Sequence, residues 1–189
     1  MEEIKRRQHA IDDVLSGRVR TSFKYTDVEF VALQFRKLFE LVILATLASH
    51  EHYFEGLTRK LSKEWQISKI IAIVRKKNPD FFPKPIIREK SEEPGITDKW
   101  VDVTEGFLTL DELMAAHGHI GAAMHANNPL REDAGLAELE ERFPIWREKL
   151  IRLLNNHLVK FPDDRTVLYV GMKSESTGGV HTALFEKHG

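Results

Sequence analysis

The chain has 189 residues, 42% hydrophobic and 30% charged, a balance that supports a folded domain with a sizeable core and excludes a long disordered chain. It holds no cysteine, which excludes disulfide frameworks, thiolate nucleophiles and cysteine metal sites. The formal net charge is −1, yet the charges segregate: residues 57 to 90 carry ten Lys or Arg against three acids, and residues 92 to 148 carry thirteen acids against four basic residues. A basic block of this kind either attracts phosphates or is neutralised by the acidic block.

The opening MEEIKRRQHAIDDVL places Ile4, Ile11, Val14 and Leu15 at helical spacing, with Gly17 where a left-handed cap would end the helix. It lacks the apolar core of a signal peptide, so a cytoplasmic protein is expected. From Arg18 to Tyr25 polar and apolar residues alternate with the period of a half-buried strand. Thr26 and Glu29 then have the spacing of a capping box, opening a helix that runs to about Phe54. Phe30, Val31, Leu33, Phe35, Leu38, Phe39 and the run from Leu41 to Leu44 cover nearly its whole circumference, which marks the buried centre of the fold. The apolar run ends at His50, far short of the roughly 20 residues of a membrane span, and no membrane partner is expected.

A further helix is predicted from about Lys63 to Lys77, with Trp65, Ile67, Ile70, Ile71, Ile73 and Val74 inward and Asn78–Pro79 as its stop. Prolines at 79, 83, 85 and 94 leave room only for short edge strands, at 85–89 and 99–103. Thr109 and Glu112 form a second capping box, opening a helix over 110–126 that Asn127, Asn128 and Pro129 close. Leu136, Leu139, Phe143, Trp146, Leu150, Leu153 and His157 then recur at spacings of three and four, a seam on a helix over 136–156 in which Pro144 introduces a kink or a fresh start. VLYVGMK and GVHTALFE read as a hairpin, with 157–161 as a third strand. A hairpin alone is marginal, so a further strand is expected from 18–25 or 85–89. No linker or repeat divides the chain. The expected fold is a single domain over 1–189, a predominantly helical α+β bundle around the central helix at about 27–54, with a small antiparallel sheet that includes the C-terminal hairpin.

Few residues announce chemistry. Arg36 and Glu40, four apart among apolar neighbours, suit a partly buried ion pair. Neither His117, His119 and His125 nor His50, Glu51, His52 and Glu55 has a recognisable metal-ligand spacing, and no phosphate loop, dinucleotide fingerprint or nucleophile elbow is present. No metal or cofactor is expected. Arg152, Leu153, Leu154, Asn155, Asn156 and His157 supply a cation for a phosphate, an imidazole that titrates near neutrality and two hydrogen-bonding amides, the types that RNA cleavage through the ribose 2′-hydroxyl needs.

This Arg-x4-His spacing resembles the R-x4-6-H signature of HEPN-family proteins, small helical bundles that often act as metal-independent RNases in toxin, defence and CRISPR systems. The resemblance implies that Arg152, His157 and Asn156 are catalytic, that a homodimer brings two copies to a shared cleft, and that the protein serves a toxin–antitoxin or defence system. The basic block, around Arg59, Lys63, Arg75, Lys76 and Lys77, would hold the RNA backbone. The alternative is a non-catalytic dimeric module that binds a protein partner through its helical seam and C-terminal sheet. The two separate at His157: catalysis requires it in a solvent-open cleft with Arg152, whereas the interaction module buries it.

Overall fold

The computed structural model describes residues 1–54, 64, 66–93, 98–124, 135–174 and 177–186. They form a mostly helical α+β fold, with α1 (Glu2–Leu15), α2 (Lys24–Ser49), a 3-10 turn (Glu51–Phe54), α3 (Ile67–Lys77), β1 (Lys84–Lys90), β2 (Asp98–Asp102), α4 (Leu110–Ala123), α5 (Gly135–Leu154), β3 (Asn156–Lys160), β4 (Thr166–Gly171) and β5 (His181–Glu186). The chain clusters into two compact units, Met1–Val42 with Thr109–Glu148, and Ile43–Leu108 with Lys149–Gly189. Among the described residues no helix is long and apolar enough to cross a membrane.

The first unit is helical, and its core is aromatic. Phe35 of α2 stacks on Phe143 of α5 with centroids 5.5 Å apart, while Trp146 stands edge-on to both Phe35 and Phe39. Aromatic pairs in these geometries add to the burial of their own area. Ile4 and Ile11 of α1 are 1% exposed, and Arg147 grips Asp12 through a two-nitrogen fork. The expected capping box at α4 is formed: Thr109 accepts from the Glu112 amide at 3.2 Å and Glu112 accepts from the Thr109 amide at 3.0 Å. The Arg36–Glu40 pair is present at 3.3 Å, and His117 Nε2 meets the same Glu40 oxygen at 3.2 Å. Gly121 makes room for this cluster, since a β-carbon there would lie 3.3 Å from Arg36 Nη1.

Two expectations in this unit are corrected. Residues 18–25 form no strand; a bend leads into α2, which starts at Lys24, and Val19, Phe23 and Tyr25 remain exposed. Alternation is necessary for a half-buried strand, but a strand also needs a neighbour to complete its ladder, and none pairs with these residues. Thr26 therefore lies inside the helix instead of capping it. Its hydroxyl donates to the Phe23 carbonyl at 2.6 Å, and Asp27 accepts from the Thr21 amide at 2.7 Å.

The second unit carries the sheet, ordered β2-β1-β3-β4-β5 and antiparallel at every pair. The C-terminal hairpin, the strand from 157 and the strand from 85 all join it, β1 being an inner strand and not an edge. α2 stops at Ser49, earlier than expected, because the His50 amide tightens onto Leu47 at 3.1 Å. His50 is then an anchor with no exposure: Nδ1 donates to Thr46 at 2.7 Å, and Nε2 accepts from Asn78 Nδ2 at 2.9 Å. Asn78 caps α3 in extended conformation before Pro79, as the steric bias of a residue preceding proline requires, and also donates to the Lys160 carbonyl at 2.8 Å. Ile67, Ile70, Ile71 and Val74 of α3 are buried, whereas Ile73 is exposed; Lys63 and Trp65 lie outside the described residues.

All seven seam residues from Leu136 to His157 are buried, and α5 runs through Pro144 without a break. The seam changes element partway. α5 ends at Leu154, and its last member, His157, stands on β3.

Candidate nucleic-acid interface

The helix-to-strand change after Leu154 separates Asn156 from His157, because successive residues of a strand point to opposite faces. His157 faces inward, with no exposed surface. Its Nδ1 donates to the Leu154 carbonyl at 2.9 Å, satisfying an orphan acceptor at the end of α5, and its Nε2 has no partner among the described residues. Burial pushes its pKa down to about 4, so the ring is neutral at pH 7. Arg152 is exposed on the last turn of α5, its guanidinium lying against the turn at Gly106, where a β-carbon would be 3.4 Å away. The expectation of a shared open cleft for Arg152 and His157 is therefore corrected: Arg152 is exposed on α5 while His157 turns into the core on β3, and the imidazole lacks the access that proton transfer to a substrate demands.

Asn156 points the other way. Across the sheet, Asn156, Gly171 and His181 lie in register on one face, so an asparagine and a histidine flank a bare glycine floor. Tyr169 shares that face, and its hydroxyl donates to Asn156 Oδ1 at 2.8 Å, which leaves the Asn156 amide nitrogen for another acceptor. A β-carbon on Gly171 would come within 2.7 Å of the Tyr169 hydroxyl and 3.3 Å of Asn156 Oδ1. Only glycine lets the ring lie back along its strand.

This floor belongs to a groove of about 760 Å³ lined also by Arg88, Lys90, Asn155 and Lys173. The groove exists because β1 pairs with β3 only at Lys84↔Leu158 and Pro85↔His157, and parts from it beyond. Among the described lining residues Asp98 is the single acid, and it is engaged by Arg88, whose guanidinium also lies 5.8 Å over the Tyr169 ring. The hydrogen bond to Asp98 raises the arginine pKa further. Among its described residues the groove thus presents Lys90 and Lys173, an Arg88 ion-paired with Asp98, and an oriented amide donor.

Beside it lies an aromatic cluster. The β1–β2 ribbon folds back over the sheet, so that Trp100 of β2 stacks on Tyr169 of β4, 5.7 Å and 14° apart, and meets Phe185 of β5 at 4.8 Å and 88°. The two edge strands of one sheet touch across its face. Small Ala183, opposite Tyr169 in register, leaves the space.

Of the residues singled out from sequence, Asn156 lines the groove and Arg152 and His157 do not. Arg75, Lys76 and Lys77 are exposed on the last turn of α3 without lining it, and Arg59 and Lys63 lie outside the described residues. Arg88, Lys90, Lys173 and His181 were missed as a set. The one legible sign was the alternation Ile86, Arg88, Lys90, which puts both cations on one face of a strand. Among the described residues no group of three or more His, Asp or Glu is placed to hold a metal ion. Comparison with known protein families, with curated proteins and with solved structures finds no match to this chain.

Proposed function

We propose that this protein binds RNA, taking the phosphodiester backbone into the groove between β1 and the β3–β4–β5 sheet. The observation that carries the reading is the donor-rich lining among the described residues: Lys90, Lys173 and the Asn156 amide, with Arg88 paired to the one acid, Asp98. Backbone phosphates are anionic acceptors, and cationic grooves of this type track them with little regard to sequence. His181, across the glycine floor from Asn156, adds a further hydrogen-bonding group. The exposed Arg75, Lys76 and Lys77 would add to the positive field that steers RNA to this unit.

The reading keeps RNA as partner and sets the cutting chemistry aside, because the buried His157 is out of a substrate's reach. The test is fluorescence anisotropy of a labelled RNA with the full chain and with Lys90→Glu/Lys173→Glu. Loss of at least about tenfold in affinity at an unchanged melting temperature is expected, since both residues are exposed and reversing two phosphate contacts removes a large electrostatic contribution. Equal binding by the two proteins would overturn the reading.

A further inference from the structure

We infer that the RNA is held as a single strand, with one nucleobase stacked on the exposed Phe185, which the half-buried Trp100 supports, beside the cationic groove. This rests on the RNA reading, and three observations extend it.

The first is an exposed aromatic ring with a built surround. Phe185 is 44% exposed, on the same strand face as His181, and it is held in place by a T-shaped contact with Trp100, centroids 4.8 Å apart. Leaving a phenyl ring in water is unfavourable, and a ring fixed by a second aromatic offers a flat partner to any base at little entropic cost.

The second is continuity. Tyr169 is shared between the two features: its hydroxyl serves Asn156 in the groove, and its face carries Trp100. A strand whose phosphates follow Arg88, Lys90 and Lys173 therefore brings its bases alongside this cluster. Pairing of a cationic track with aromatic rings is how single strands are bound without sequence preference, because every base has a stacking face.

The third is size. A volume of about 760 Å³ falls within the roughly 300–1,000 Å³ of small-ligand sites, so the groove admits a short stretch of one strand. A duplex keeps its bases stacked on each other and hidden from side chains, and offers Phe185 nothing to stack on.

The experiment compares three labelled RNAs of about ten nucleotides, a length within the range that single-strand sites cover. One is a base-bearing single strand, one has the same backbone with abasic riboses, and one is a duplex. Each is titrated with the wild-type chain, Phe185→Ala and Phe185→Tyr. The base-bearing strand is expected to bind at least about tenfold tighter than the abasic strand or the duplex. Phe185→Ala should erase that difference while leaving abasic affinity and salt dependence unchanged, and Phe185→Tyr should restore it. Equal affinity for base-bearing and abasic strands, preference for the duplex, or no effect of Phe185→Ala on the base-bearing strand would overturn the stacking seat and leave the groove standing. If none of the three RNAs binds, the RNA reading itself falls, and the seat with it.

Discussion

The hydroxyl of Tyr169 stands 2.7 Å from the point that a β-carbon on Gly171 would occupy, two residues further along the same strand face. That close approach aims the Tyr169 hydroxyl at Asn156, and so the glycine positions a residue on another strand. Gly171→Ala should push the ring off its seat. Overpacking of this kind costs about 1–3 kcal/mol, to be read by urea unfolding, and RNA affinity should fall because the Asn156 amide loses its orientation. Tyr169→Phe removes the hydrogen bond without the clash and should cost less, about 1 kcal/mol.

His157 should make the protein acid-labile. An unfolded histidine takes up a proton near pH 6.5, but the buried ring resists protonation until about pH 4. Between those values the unfolded chain binds the extra proton, so this contribution is fully present above about pH 6.5 and is lost as pH falls toward 4. The shift corresponds to about 3 kcal/mol, seen as a drop in unfolding free energy that His157→Leu flattens.

His157→Ala should destabilise the fold by roughly 2–5 kcal/mol, as other large-to-small core changes do, while the protein that remains folded binds RNA with unchanged affinity. Activity lost at an unchanged melting temperature would instead place the histidine in a functional site.

Asn78→Ala removes the donor shared by His50 Nε2 and the Lys160 carbonyl, leaving one buried and one half-buried acceptor without it. The expected cost is about 2–3 kcal/mol by thermal or chemical unfolding, the usual penalty for orphaned polar groups.

Lys90→Ala and Lys173→Ala should each lower the slope of log affinity against log salt by about 0.7, the value for one phosphate contact on a single strand. Lys76→Ala, outside the groove lining, should change it less.

Period and punctuation in the sequence determined most of the helices. Thr109 and Glu112 announce α4, Asn78–Pro79 ends α3, and the seam from Leu136 to His157 is buried at every position, because a helix start, a proline and an apolar repeat act through neighbours in the chain. Local pattern also placed the C-terminal hairpin. It also offered 157–161 as the third strand, and it failed where the outcome depended on a distant partner: the alternating residues 18–25 found no strand to pair with. Only the tertiary structure decided which polar residues share a site. Arg88, Asn156, Lys173 and His181 come from three strands and a turn, and they meet because β1 parts from β3 and the ribbon carrying Trp100 folds over Tyr169. Sheet pairing is non-local and one residue of register reverses a side chain's face, so the neighbouring Asn156 and His157, inseparable in the sequence, face opposite sides of the sheet.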